Sequence, residues 1–370
     1  MESATKVSQA AMNRDHSDHA QSPGPSVPGV DFDRLARWMD GKGLGSGPIE
    51  DVRLISGGTQ NIMLRFRRDA RDFVLRRPPL HLRSNSNVTM RREARLLGAL
   101  TGTAVPHPHL VTACDDEAVL GALFYLIDYV DGFNAREALP APHAGSANMR
   151  RKMGFALVDG IAALGALDYQ ALGLSDFGKP DNYLDRQIAR WQSQLASYGE
   201  LAGWPGPESL IGLDAVTDWL SRHMPASFTP GIIHGDYHLA NVMFRRDGPE
   251  LAAIVDWELA TIGDPLVDLG WLLATCWAEQ PPESGRLVPV WENFPPPVEL
   301  VERYAARSTR YLSDIRWYVV FACYKLAILL EGTHARASAG RADRSTGDQL
   351  HAKAVELLRR AQLWIEGAQL

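Results

Sequence analysis

The stretch from Ile232 to Asp268, IIHGDYHLANVMFRRDGPELAAIVDWELATIGDPLVD, constrains this chain more than any other. Three short apolar runs, Ile232-Ile233, Val242-Met243-Phe244 and Leu251 to Val255, read as buried strands broken by turn residues. Gly248-Pro249 marks the reversal between the last two. Asp236, Asn241 and Asp256 each stand beside one such run, where a rigid element can hold a polar side chain still. A carboxylate, an amide and a second carboxylate offer the hard oxygens that suit Mg2+ and phosphate. In that chemistry Asp236 would accept the proton of an attacking hydroxyl, while Asn241 and Asp256 would ligate Mg2+.

The spacing adds specificity. His-Gly-Asp-x-x-x-x-Asn repeats the catalytic-loop spacing of protein kinases, and Asp256-Trp257-Glu258 stands where their Asp-Phe-Gly stands. HGDYHLANVMF, IVDWELATIGDPLVDLGWLL and the earlier FVLRRPP together resemble the aminoglycoside phosphotransferase and choline kinase superfamily. Within it they look most like a bacterial phosphotransferase branch, similar to the kinase-like domain at the N-terminus of some long acyl-CoA dehydrogenases. The resemblance implies an α+β, two-lobed protein-kinase-like fold, with a small antiparallel-sheet N-lobe and a larger, mainly helical C-lobe. It implies Mg2+ and either ATP or GTP as co-substrate. The expected division is a disordered tail over 1–30, an N-lobe over 31–127, a hinge over 128–134 and a C-lobe over 135–370.

Composition narrows the partners. The chain has 370 residues, long enough for two lobes and a tail, and its 45% hydrophobic and 22% charged content is that of an ordinary soluble enzyme. A formal charge of −6 gives no general attraction to nucleic acid or to an anionic membrane. Cys114, Cys276 and Cys323 are too scattered for a disulfide or metal pattern and read as buried filler in a reducing compartment. The opening MESATKVSQA develops no apolar core, so a secretory leader is not expected. The longest apolar run, Trp317 to Leu330, is interrupted by Lys325 and is too short to span a bilayer. The expected location is cytoplasmic.

In the N-lobe, Asp31 or Asp33 reads as the cap of a short amphipathic helix. VRLIS, NIMLRF and DFVLRR then predict a three-stranded antiparallel meander. Its first connection holds Ser56, Gly57, Gly58, Thr59 and Asn61, a candidate phosphate cover in which glycine lets backbone N–H groups approach an anion. Arg76 falls where the kinase strand carries its phosphate-gripping lysine, and a guanidinium is a larger and differently shaped fork. HLRSNSNVT reads as a basic-polar loop, and Arg91 to Leu100 as a helix. On that helix Glu93 takes the place of the glutamate that pairs with the strand cation. FYLIDYVDG reads as an edge strand entering the hinge, and the resemblance has Asp128 and Val130 meet adenine through backbone atoms.

Beyond Gly132 the pattern is helical over Met149–Leu167, Asn182–Tyr198, Leu213–His223, Ile315–Leu330 and Gln349–Ile365. His234 reads as a loop-bracing residue, His238 as either a loop brace or a substrate-facing group, and Glu258 as a neighbour of the metal site. Asp264 and Asp268 read as caps of the next helix or braces for the catalytic loop, Asp268 being the better brace. From residue 301 onward, eleven Arg and Lys stand against seven Asp and Glu, which disfavours a polycationic acceptor. An anionic acceptor, such as a CoA-bearing hydroxy compound, suits Arg336, Arg341 and Arg344. The leading reading is a small-molecule kinase acting on a hydroxylated metabolite, with hydroxyacyl-CoA as the acceptor that the resemblance implies. Two rivals stay open: an aminoglycoside or macrolide phosphotransferase, and a non-catalytic nucleotide-binding scaffold, for which Arg76 is the best support.

Overall fold

The computed structural model describes residues 27–55, 61–135, 139–275 and 291–367. Ser56, Gly57, Gly58 and Thr59 of the expected phosphate cover lie outside the described residues, as does Cys276. The first helix, α1 (Phe32–Gly41), is capped by Asp31, whose carboxylate accepts from the Arg34 amide at 2.9 Å. The fold begins slightly before it: Val27 and Val30 form a bridge and Val30 is buried, inside the stretch 1–30 expected to be a tail.

The expected meander forms as β1 (Glu50–Leu54), β2 (Ile62–Arg68) and β3 (Arg71–Arg77). There follow α2 (Ser86–Leu100), β4 (Leu110–Cys114), α3 (Glu117–Leu120) and β5 (Phe124–Asp128), closing a five-stranded sheet in the order β1-β2-β3-β5-β4. The strand read as an edge is therefore internal. Its unbroken run Phe124-Tyr125-Leu126-Ile127 is buried on both faces, which is what a continuous apolar run signifies. Strand alternation sorts the side chains. Leu64, Phe66, Phe73, Leu75, Phe124 and Leu126 pack with Leu35 and Met39 of α1, while Val74, Tyr125 and Ile127 pack with Met90 and Leu97 of α2. Period two then sends Arg76, two residues after Val74, to the α2 side.

Helix α2 starts five residues before Arg91, so the end of HLRSNSNVT is helical rather than loop. Its polar side chains are spent on tertiary partners: Asn87 accepts from the Leu123 amide at 3.1 Å and donates to Glu117 at 2.8 Å. Composition alone cannot reveal such partners.

The second lobe contains α4 (Ala141–Ala144), α5 (Ala147–Gly165), α6 (Asp185–Ala196) and α7 (Leu213–Arg222). Two antiparallel pairs follow, β6 (Gly231–Ile233) with β9 (Thr261–Gly263) and, between them in the chain, the hairpin of β7 (Val242–Phe244) with β8 (Leu251–Ile254). The chain then runs through α8 (Leu266–Thr275), α9 (Pro297–Ala305), α10 (Ile315–Ser338) and α11 (Arg344–Ile365). Helix α10 runs eight residues past the expected Leu330 and packs between α8 and α11. The connector from the first lobe is stitched to this one: Phe133 and Phe244 exchange backbone bonds of 3.0 and 2.8 Å, and the Ile254 amide donates to Pro106 O at 2.8 Å.

Candidate active site

The loop from β6 to β7 carries Asp236 and Asn241, and several buried groups keep it in one shape. Gly235 has φ +86°, and a Cβ there would sit 2.7 Å from Leu259 O, so this turn requires glycine. His234 sits with Nε2 2.9 Å from Val255 O, and its Nδ1 accepts from the Asp236 amide at 3.3 Å, so it braces the loop. Burial pushes its imidazole below the ordinary range, which keeps it neutral for that task. Tyr237 donates its hydroxyl to Leu157 O of α5 at 2.8 Å. Asn134, from the connector, donates to Ala240 O at 2.7 Å and Val242 O at 3.1 Å.

Asp236 and Asn241 meet directly. Asn241 Nδ2 donates to the Asp236 carboxylate at 3.0 Å and to its backbone oxygen at 2.9 Å. His238 Nε2 stands 3.4 Å from the other carboxylate oxygen, while its Nδ1 accepts from the Ala240 amide at 3.1 Å. Burial works to raise the Asp236 carboxyl, but the His238 contact and the nearby His234 and Lys325 outweigh it and bring it down to about 2. The side chain is still 30% exposed, so an ionised oxygen remains reachable from solvent.

Asp256 follows β8, tied to the same loop because the Val255 amide donates to Asn241 O at 2.9 Å. Its backbone is left-handed, φ 68° and ψ 64°, a conformation that costs a non-glycine residue and clusters at functional positions. The turn aims its carboxylate across the cleft at Arg76, whose Nη2 lies 2.9 Å away. Arg76 is in turn ion-paired with Glu93, Nε to Oε2 at 3.0 Å, and Tyr125 donates its hydroxyl to Glu93 at 2.6 Å. Arg76 and Tyr125 are cross-strand neighbours on β3 and β5, so one sheet register assembles the cluster. Burial opposes the Arg76 charge, yet Tyr125, Glu93 and Asp256 more than restore it and the guanidinium stays charged. Burial raises the Glu93 carboxyl, against the pull of Arg76 and the Tyr125 hydroxyl, to about 7. Glu258 lies at the edge of this cluster, 3.7 Å from Arg76.

The remaining expected positions are less tightly joined. Asn61 lines a cavity of about 290 Å³ with Arg83, Thr89 and Glu258, between the start of α2 and the turn after Asp256. Asp128 spends its amide on His109 O at 3.0 Å and its carboxylate on Arg71 at 2.8 Å, so only its backbone oxygen is not accounted for by these two contacts. Val130 lies just beyond β5 in irregular backbone. Arg344 pairs with Asp348 at 3.1 Å and Arg336 with the Thr333 hydroxyl at 2.8 Å. With Arg336 eleven residues beyond Lys325 on α10, about 16 Å along the axis, these arginines are set apart from the loop.

Two residues add to the site that sequence reasoning did not place there or placed only loosely. Lys325 of α10, read only as an interruption of an apolar run, donates Nζ to Gly235 O at 3.1 Å from a position 4.2 Å over the Trp271 ring. Burial draws its ammonium down to about 8, against the attraction of Asp236 and Asp268. Asp268 of α8, expected to brace the loop, accepts from the His234 amide at 2.6 Å and the Gly235 amide at 2.9 Å. A lone lysine in a hydrophobic helix 90 residues from Gly235 is the one signal that pointed to Lys325.

The comparisons with known proteins bear on the family and the fold. A model of the phosphotransferase enzyme family matches residues 51–307. The chain belongs to that family. A candidate aminoglycoside phosphotransferase of Ralstonia eutropha, known as a crystal structure, is 29% identical with a TM-score of 0.75, over 90% of this chain and 98% of that one. The GDP complex of aminoglycoside 2'-phosphotransferase-IIIa, 16% identical with a TM-score of 0.61 over 90% of this chain and 98% of that one, shares the fold. Acyl-CoA dehydrogenase family member 10 of Mus musculus is 28% identical over 331 residues, which is 86% of this chain. The chain spans 29% of that relative's length. The protein-kinase-like, two-lobed α+β architecture expected from the sequence is thus the observed one. Among the described residues, no helix is long and apolar enough to cross a membrane.

The donor set fits a hard divalent cation. Asp256 is a carboxylate with a side chain 40% exposed, and Asn241 commits its amide nitrogen to Asp236, which leaves its amide oxygen as a donor.

Proposed function

We propose that this chain transfers the γ-phosphoryl group of ATP or GTP to an alcohol oxygen of a small metabolite. The observation that carries the reading is the contact between Asp236 and Asn241, joined through Val255 to Asp256 and through Asp256 to Arg76. A scaffold that merely held a nucleotide would not need an ionised, partly exposed carboxylate beside the amide. Asp236, held at a low pKa, orients the acceptor hydroxyl and takes its proton as the new O–P bond forms. The bond from the γ-phosphorus to the bridging oxygen breaks, and the nucleoside diphosphate leaves with the electron pair. Asn241 and Asp256 would hold Mg2+, which supplies neutralisation of phosphate charge. Arg76, steadied by Glu93 and Tyr125, presents fixed positive charge at the cleft in place of a lysine. With the transition state loose, positioning by these residues carries the rate.

For the acceptor, the likeness to the mouse acyl-CoA dehydrogenase family member supports a hydroxyacyl-CoA. Asn61, Asp128 and Val130 are the described candidates for nucleotide contact, together with Arg76 and Glu93. The test is nucleoside diphosphate release by the purified chain with a hydroxyacyl-CoA, kanamycin or erythromycin as acceptor. Turnover with an antibiotic and none with the thioester would overturn the acceptor assignment. Asp236→Ala should abolish transfer and keep Mg-nucleotide affinity, whereas Asp256→Ala should weaken that affinity; an Asp236→Ala variant as active as the parent would overturn the mechanism.

A further inference from the structure

Nearly two turns beyond Lys325, α10 and α11 bring together donor atoms that the phosphoryl-transfer site does not use. We propose that Glu331, His334 and His351 bind one divalent transition-metal ion of the Zn2+ class, forming a clip between the two helices. Glu331 and His334 are three residues apart on α10 and share a face, and His351 meets them from α11. One ligand atom from each residue lies within 4.8 Å of those from the other two. Glu331 Oε1 is 2.9 Å from His334 Nδ1, and Oε2 is 2.7 Å from His351 Nδ1. Two imidazole nitrogens and a carboxylate are a ligand set that Zn2+ accepts, with a fourth position left to water.

An independent feature points the same way. His334 stands between two carboxylates, because its Nε2 is 3.6 Å from Asp348 Oδ1 while its Nδ1 faces Glu331. A neutral imidazole has one N–H and can serve only one of them. A second ring proton or a metal cation at Nδ1 resolves the conflict, and with the metal Nε2–H faces Asp348 in the carboxylate–histidine–metal arrangement that orients metal-binding histidines. Trp204 Nε1 donates to Glu331 Oε1 at 2.7 Å and steadies the carboxylate from its outer side. Asp348 is shared with Arg344 at 3.1 Å, which limits the negative charge around the site.

The framework is rigid in advance of any ion. A Cβ on Gly347 of α11 would lie 2.4 Å from Ala337 Cβ of α10, so this glycine lets the two helices approach closely, while Gly332 of α10 leaves room for the Tyr198 hydroxyl, from which a Cβ would lie 2.5 Å. Glu331 is fully buried, but the His351 side chain is 25% exposed and that of Asp348 54%, which opens a path from solvent.

The chelator-treated full chain, kept in excess Mg2+ to occupy hard-oxygen sites, would be titrated with Zn2+ by calorimetry and with Co2+ by visible absorption. We expect one equivalent to bind in the micromolar range or tighter, ligand-field bands of a nitrogen- and oxygen-ligated Co2+, and a rise in Tm with Zn2+. His351→Ala, at the partly exposed position and checked by circular dichroism, should lose that equivalent and the rise in Tm. Asp348→Asn should weaken binding about tenfold or more. Absence of a stoichiometric equivalent, or binding by His351→Ala equal to the parent, would overturn the site; the second result would place the ion elsewhere in the chain. Because the readout is metal binding, these outcomes are separate from those that test phosphoryl transfer.

Discussion

Replacing Lys325 with Met should uncouple stability from activity. The shift of its ammonium from 10.5 to about 8 corresponds to about 3 kcal/mol of preference for the neutral amine in the folded state. Against that stands the charge-assisted bond to Gly235 O, which contributes about 1.5–3 kcal/mol. Methionine has similar length and packs well against Trp271 and Trp191, so the two terms offset. We predict that the unfolding free energy at pH 7, measured in urea, changes by no more than about 1.5 kcal/mol. Activity should respond differently. Without the cation, the Gly235–Asp236 turn loses a clamp and Asp236 loses one of the charges that hold its pKa low, so kcat should fall about 10- to 100-fold, or about 1.4–2.8 kcal/mol.

The pH behaviour supplies the sharper signature. The parent kcat should decline above pH 8 as Lys325 loses its proton, while the low residual rate of Lys325→Met should show no such limb. Stability should move the other way. Between about 8 and 10.5 the unfolded chain binds the lysine proton and the folded chain does not, so the stability of the parent should rise with pH across that window. In Lys325→Met that rise should be missing. A variant with kcat within about twofold of the parent and an unchanged alkaline limb would refute the reasoning, and so would a loss of activity explained wholly by unfolding.

Asp268→Asn should destabilise the fold by about 2–4 kcal/mol in urea, because an amide offers one acceptor where the His234 and Gly235 amides need two. Arg76→Met should raise the nucleotide KM by about tenfold or more and lower Tm, since it strands Glu93 and Asp256 without their cation; an unchanged KM would remove Arg76 from the nucleotide site. Tyr125→Phe should raise KM less, and a KM change equal to that of Arg76→Met would mean that the hydroxyl, not the guanidinium, sets the affinity.

Much of this protein was legible along the chain because the signals are local. The alternation of β2 and β3 fixes which side chains face α1 and which face α2, and so sends Arg76 toward Glu93 before any tertiary contact is known. The spacing from His234 through Asn241 to Asp256 reports one loop and one hairpin, although Asn134, Leu157, Asp268 and Lys325 hold that loop in shape from distant segments. Packing settled the rest. Helix α2 begins at Ser86 because Asn87 finds Leu123 and Glu117, and β5 is internal because β4 returns to its free edge. Lys325 reaches Gly235 only because α10 crosses beneath the loop, and His351 reaches Glu331 only because α11 folds back along α10. A contact between distant segments leaves no periodicity in either one. The chain by itself therefore determined the elements and the reactive spacing, and the tertiary structure decided which solitary charges those elements would meet.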